Sequence, residues 1–107
     1  MRLASVVGHR GAGKLAPENT LASLRAAASM GLNWVEFDAR LTADGVPVLL
    51  HDPNLDRTTD ASGPIDRVAA HALHGVDAGG WFGPEFAGEP VPTLAQALAC
   101  LADLGLA

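Results

Sequence analysis

Two runs of strand composition, "LASVVG" at residues 3–8 and "NWVEFDARL" at 33–41, flank a loop and one stretch of helical spacing, and that order restricts the fold more than any other feature. The loop is "HRGAGKLAPEN". In "TLASLRAAASMG", Leu21, Leu24 and Ala28 recur at helical spacing, with Asn19 or Thr20 as N-cap and Gly31 as the stop. Strand, helix and strand make a βαβ unit, whose strands run parallel because the crossover helix carries the chain back to its starting end. Both strands then finish on the same side of the sheet, where parallel α/β proteins place their chemistry.

The next connection has the opposite consequence. "TADG", between Leu41 and Val46, is too short for a crossover, and Asp-Gly is a strong hairpin signal, so the third strand returns antiparallel. With Asp44 and Gly45 as the two turn residues, Ala43 pairs with Val46 and counting back sets Asp38 opposite His51, with Glu36 on the same face. A three- or four-residue loop shifts that register.

Beyond Asp52 the text is irregular. "PNLDRTTDASGPIDR" and "DAGGWFGPEFAGEPVP" carry loop signals, with a short helix expected around "DRVAAHAL". "TLAQALACLADLG" predicts a helix capped by Thr93, with Leu94, Ala97, Leu98 and Leu101 on one face and Cys100 as a small apolar core residue. With 49% hydrophobic and 18% charged residues, the 107-residue chain reads as one globular domain. A net charge of −5 without any basic run excludes a general nucleic-acid binder. The apolar stretch at residues 3–7 is too short for a signal peptide or a membrane span, so a cytoplasmic location is the expectation.

The chemistry-bearing residues gather at the predicted strand ends. His9 and Arg10 follow the first strand, Glu36 and Asp38 close the second, and the hairpin returns His51 to them. Two carboxylates on one strand face repel, and a hard divalent cation, Mg²⁺ or Ca²⁺, is the simplest compensation. A salt-bridge cluster of Arg10 with Glu36 or Asp38 is the alternative. Arg10 offers a bidentate fork for an anion, and two imidazoles that titrate near neutrality can take and give a proton. That is equipment for metal-assisted phosphodiester hydrolysis.

The ordered motifs "HRG", "PENT", "VEFD", "VPVLLHD", "LDRTT" and "VPTL" resemble the glycerophosphodiester phosphodiesterase family over nearly the whole chain. The resemblance implies a (β/α)₈ barrel of TIM type, related to phosphatidylinositol-specific phospholipases C, that hydrolyses small glycerophosphodiesters to glycerol 3-phosphate and an alcohol. It implies that His9 and His51 are the acid/base pair, that Arg10 holds phosphate, that Glu36 and Asp38 bind the divalent metal, and that Glu18 and Asn19 brace the site, with Glu18 facing it. Residues 53–92 resemble the family's small insertion beside the barrel mouth.

A full barrel needs about 250 residues, and the family's next motif, a strand with a further metal-binding glutamate and a lysine, would follow "DLGLA". The expectation is therefore an amino-terminal portion of an α/β barrel, incomplete in this chain, with an unpaired edge that invites self-association or a complementary carboxy-terminal half. Another phospholipase C-like phosphodiesterase, or a catalytically silent fragment that acts by association, are the other readings. Among remaining residues, His71 and His74 read as solvated or capping, Lys14 as solvated, and Trp81, Phe82 and Phe86 as a wall for the alcohol group or as cover for the core.

Overall fold

The computed structural model describes residues 7–106. The expected strand at residues 3–8 is seen from Val7 onward as β1 (Val7–His9), and its earlier positions lie outside the described residues. A loop leads to α1 (Leu21–Ser29), which is followed by β2 (Trp34–Glu36). β1 and β2 are parallel, with Val7 opposite Trp34 and His9 opposite Glu36, so the βαβ expectation holds and both strands end together. Thr20 caps α1: its hydroxyl accepts from the Ser23 N–H at 3.1 Å and donates to the Pro17 carbonyl at 2.7 Å. Gly31, at φ +80°, leaves the helix through a backbone conformation that favours glycine.

The strand expected to run unbroken through residues 33–41 is split. β3 (Ala39–Leu41) pairs antiparallel with β4 (Pro47–Leu49) in a separate two-stranded sheet. The break falls at Phe37–Asp38, where the Asp38 N–H donates to the Asn19 side-chain oxygen at 3.0 Å instead of to a neighbouring strand. The hairpin register also differs from the two-residue-turn count. Ala39 faces Leu49 and Thr42 N–H bonds the Val46 carbonyl, so the loop has three residues and Asp38 stands opposite Leu50, not His51. Thr42 causes the shift: its hydroxyl bonds Asp44 at 2.6 Å and accepts the Val46 N–H at 3.0 Å, while Gly45 takes φ +78°.

β4 is buried on both faces, which explains its nearly continuous apolar text. Leu49 joins Leu24, Ala97 and Leu101 between the two helices. Val48 and Leu50 point the other way, into a second core with Leu55, Ile65, Leu73, Ala78 and Val91 that lies under the irregular segment. Each such leucine contributes roughly 1.5–3 kcal/mol by leaving water. A third cluster, Ala12, Ala16 and Ala27, packs the first loop against α1 with Phe86 partly covering it.

Within residues 53–92 the single helix expected near 66–73 is instead two 3₁₀ turns, Ile65–Arg67 and Ala70–Leu73. The hairpin tip prevents their fusion. Ala43 N–H bonds the Val68 carbonyl at 2.9 Å and Asp44 accepts the Ala70 N–H at 3.0 Å, which holds Val68 and Ala69 extended. These bonds, led by the one from the Thr42 hydroxyl, also hold the Asp44 carboxyl below its ordinary range. α2 (Leu94–Leu104) forms as expected, with Thr93 and Gln96 in a reciprocal capping box and Gly105 at φ +70° as its end. One position departs from the expected apolar face: Leu98 is 53% exposed, because the buried stripe centres on Ala97 and Leu101. Cys100 is half-buried against that stripe, and His71, His74 and Lys14 are exposed.

Candidate active site

The loop after β1 is built by close approach. A Cβ on Gly8 would strike the Gly11 carbonyl oxygen, and one on Gly11, which stands at φ +101°, would strike Ser23. Gly11 N–H in turn bonds the Glu36 carbonyl at 3.1 Å, stitching the loop to the end of β2. Between these glycines Arg10 adopts φ 53°, and Asn19 adopts φ 57°. A left-handed conformation costs a non-glycine residue about 1–2 kcal/mol, least for Asn, so each must be held from several directions. The Arg10 carbonyl accepts from Asn19 N–H at 2.9 Å and from the Ser23 hydroxyl at 3.1 Å, while Arg10 N–H donates to Glu36 Oε1 at 3.1 Å.

This backbone brings six of the seven candidate residues into direct contact. His9 Nε2 lies 3.9 Å from Glu36 Oε1. Arg10 Nη1 donates to both oxygens of Glu18 at 3.2 and 3.3 Å, and its Nε lies 3.5 Å from Asp38 Oδ2. Asn19 grips Asp38 twice, donating from Nδ2 to Oδ2 at 3.1 Å and accepting the backbone N–H. Arg10 Nε is buried yet makes no hydrogen bond, an orphaned donor inside the cluster.

The seventh residue, His51, joins by a route that the hairpin count does not contain. Its Nδ1 lies 2.9 Å from Asp52 Oδ1. Asp52 accepts from Arg57 Nε at 2.8 Å and Nη2 at 3.0 Å, and the same guanidinium donates to the two Glu18 oxygens at 3.0 Å each. Asp52 and Arg57 are therefore site residues that the sequence reading left without a role. "LDRTT" marked the position of Arg57, but nothing local shows which carboxylates a loop arginine will reach. The Arg57 fork first, and His51 second, hold the Asp52 carboxyl well below the ordinary carboxylate range. Bonding to Asp52 and Glu18 raises the Arg57 guanidinium above its already high value.

Asp38 accepts from Asn19 Nδ2 and lies 3.5 Å from Arg10 Nε, while Glu36 accepts the Arg10 backbone N–H and meets no guanidinium among the described residues. Among the described residues no group of three or more His, Cys, Asp or Glu side chains is spaced to hold a metal ion. No helix among them is long and apolar enough to cross a membrane.

A match to the glycerophosphoryl diester phosphodiesterase family covers residues 9–106. The chain belongs to that family. The glycerophosphodiester phosphodiesterase of Caldanaerobacter subterraneus is 40% identical over 92% of this chain and 40% of its own length. Two solved structures superpose closely. The glycerophosphodiester phosphodiesterase of Agrobacterium tumefaciens gives a TM-score of 0.90 at 41% identity, over 95% of this chain and 44% of that one. A phosphodiesterase of Oleispira antarctica, in complex with the product sn-glycerol-3-phosphate, gives 0.94 at 45% identity, over 97% and 42%. The glycerophosphoryl diester phosphodiesterase segment thus spans less than half of these relatives and corresponds to the amino-terminal portion of a (β/α)₈ barrel, incomplete in this chain.

Proposed function

We propose that this segment carries the amino-terminal half of a site for metal-dependent hydrolysis of glycerophosphodiesters to glycerol 3-phosphate and an alcohol. The observation that supports this reading most is the continuous path of polar contacts from His9 through Glu36, Arg10, Glu18, Arg57 and Asp52 to His51, at the shared end of two parallel strands. The Oleispira relative holds the glycerol phosphate that such a reaction releases.

Arg10 binds the phosphate oxygens through its guanidinium, which Glu18 holds at Nη1. One of His9 and His51 removes the proton from the attacking oxygen, and the other protonates the departing alcohol. Asn19 and Glu18 hold Asp38 and Arg10 in register. Glu36 and Asp38 would hold Mg²⁺ or Ca²⁺ through their carboxylate oxygens, the donor type such ions take. When bound, the cation stabilises negative charge on the phosphoryl oxygen. Residues 53–92 form the small insertion beside the barrel mouth. Exposed Val7 and Trp34 on the parallel pair favour association with a second copy or with a complementary carboxy-terminal half, which sedimentation against concentration would detect.

The test of the activity is release of glycerol 3-phosphate from glycerophosphocholine with and without added Mg²⁺ or Ca²⁺, for this chain and for the chain joined to a complementary barrel half. Metal-stimulated release is expected. Its absence in the completed barrel would overturn the reading.

A further inference from the structure

We propose that Arg57 is a positioning residue that fixes the tautomer and orientation of His51 by bracketing Asp52 and Glu18 with one guanidinium. The inference deepens the hydrolase reading above, but the property it assigns to His51 exists without substrate.

An ionised carboxylate only accepts hydrogen bonds. Asp52 is ionised, so His51 Nδ1, at 2.9 Å, must carry hydrogen, and in the neutral imidazole that leaves the lone pair on Nε2. The orientation of Asp52 therefore decides which face of the imidazole is reactive. Asp52 has no reason of its own to hold still, because it stands in a loop past β4 and terminal carboxylate torsions are broad. Its orientation comes from Arg57, whose Nε and Nη2 take one oxygen each.

The other edge of the same plane grips Glu18, also one oxygen per nitrogen. Glu18 is only 12% exposed and adjoins Asn19 and the Thr20 cap, among the most constrained positions of the fold. His51 itself has one other tie, its carbonyl accepting from Arg40 Nε at 2.8 Å, and that bond does not restrict the ring. The imidazole is thus referenced to the start of α1 through a rigid fork, and Glu18, shared with Arg10, makes the phosphate side and the His51 side parts of one frame.

The test reads the ring nitrogens of His51 by ¹⁵N NMR in the 107-residue chain at a pH where the imidazole is neutral. The unaltered chain is expected to show the Nδ1–H form. Arg57→Gln, which removes the fork, and Arg57→Lys, which keeps the charge on a single point, are both expected to shift His51 to a mixture with a large Nε2–H fraction, while the His9 ring signals stay in place. A wild-type His51 tautomer in either folded variant overturns the proposal. Loss of the fold in both variants overturns it too, since Arg57 would then be a structural clamp. The spectra involve no turnover, so failure of the hydrolase reading would be seen separately, in the glycerophosphocholine assay.

Discussion

Arg10 and Arg57 share Glu18 and stand in opposite conditions. Arg10 is mostly buried, its side chain 21% exposed, its backbone is left-handed, and its Nε lacks a hydrogen bond. Arg57 is 45% exposed in an ordinary loop, yet it makes four hydrogen bonds to two carboxylates. Folding has left the buried guanidinium under-satisfied and the exposed one saturated, the reverse of what stability alone would favour. A guanidinium whose donors are only partly used suits a ligand, and one fully used suits a frame.

The largest effect that could break this contrast lies at the two ends of the contact path. In a completed barrel, His9→Ala and His51→Ala should each lower turnover by about 10²–10⁴ with metal affinity nearly intact; an unchanged rate in either would mean that the two arginines do not serve one reaction. Next, Glu36→Ala or Asp38→Ala should weaken metal binding, measured by titration calorimetry, and high metal concentration should restore part of the rate, whereas the histidine variants should show no such rescue. The arginines themselves come third. Arg10→Ala, losing a charged bond to phosphate worth about 1.5–3 kcal/mol, should raise KM about tenfold or more while barely lowering the melting temperature.

Arg57→Ala should lower stability to chemical denaturation by about 1 kcal/mol, kept small because the pair is part-exposed. The smallest effect is its pH dependence. Asp52 has a folded-state pKa below its unfolded value, so the stabilisation is present above the ordinary carboxylate pKa, near 4, and is lost as pH falls through the folded value. The stability gap between the unaltered chain and Arg57→Ala should therefore be level from about pH 5 to 8 and shrink only in strong acid. A gap that vanished between pH 8 and 6 would point to His51 rather than Asp52 as the group that matters.

How much of this could be read from the text follows the range of each interaction. The parallel pair and both Thr-capped helices depend on neighbours a few residues away, and Thr20, Gly31 and Thr93 announce them. The hairpin register escaped because the Thr42 hydroxyl, not the Asp-Gly pair alone, sets the loop. The helix near 66–73 failed for a longer-range reason: Ala43 and Asp44 capture backbone groups of Val68 and Ala70 that a helix would have used. The gathering of His9, Arg10, Glu36 and Asp38 was legible since parallel strands end together, but the link to His51 needed Arg57 to reach 39 residues back to Glu18. Side-chain reach of that kind leaves no periodic trace.

One bond bears on how such proteins can be rebuilt. The Glu89 carboxylate, at the far end of the irregular segment, accepts the Ala22 N–H at 2.9 Å and pairs with Arg25, filling one of the vacant donors in the first turn of α1. The segment is therefore not a cassette that can be cut out or traded between relatives at its two ends. A shortened graft would leave an open helix start directly behind Asn19 and Thr20, and whoever transplants a relative's 53–92 stretch must carry an acceptor at the position of Glu89 along with it.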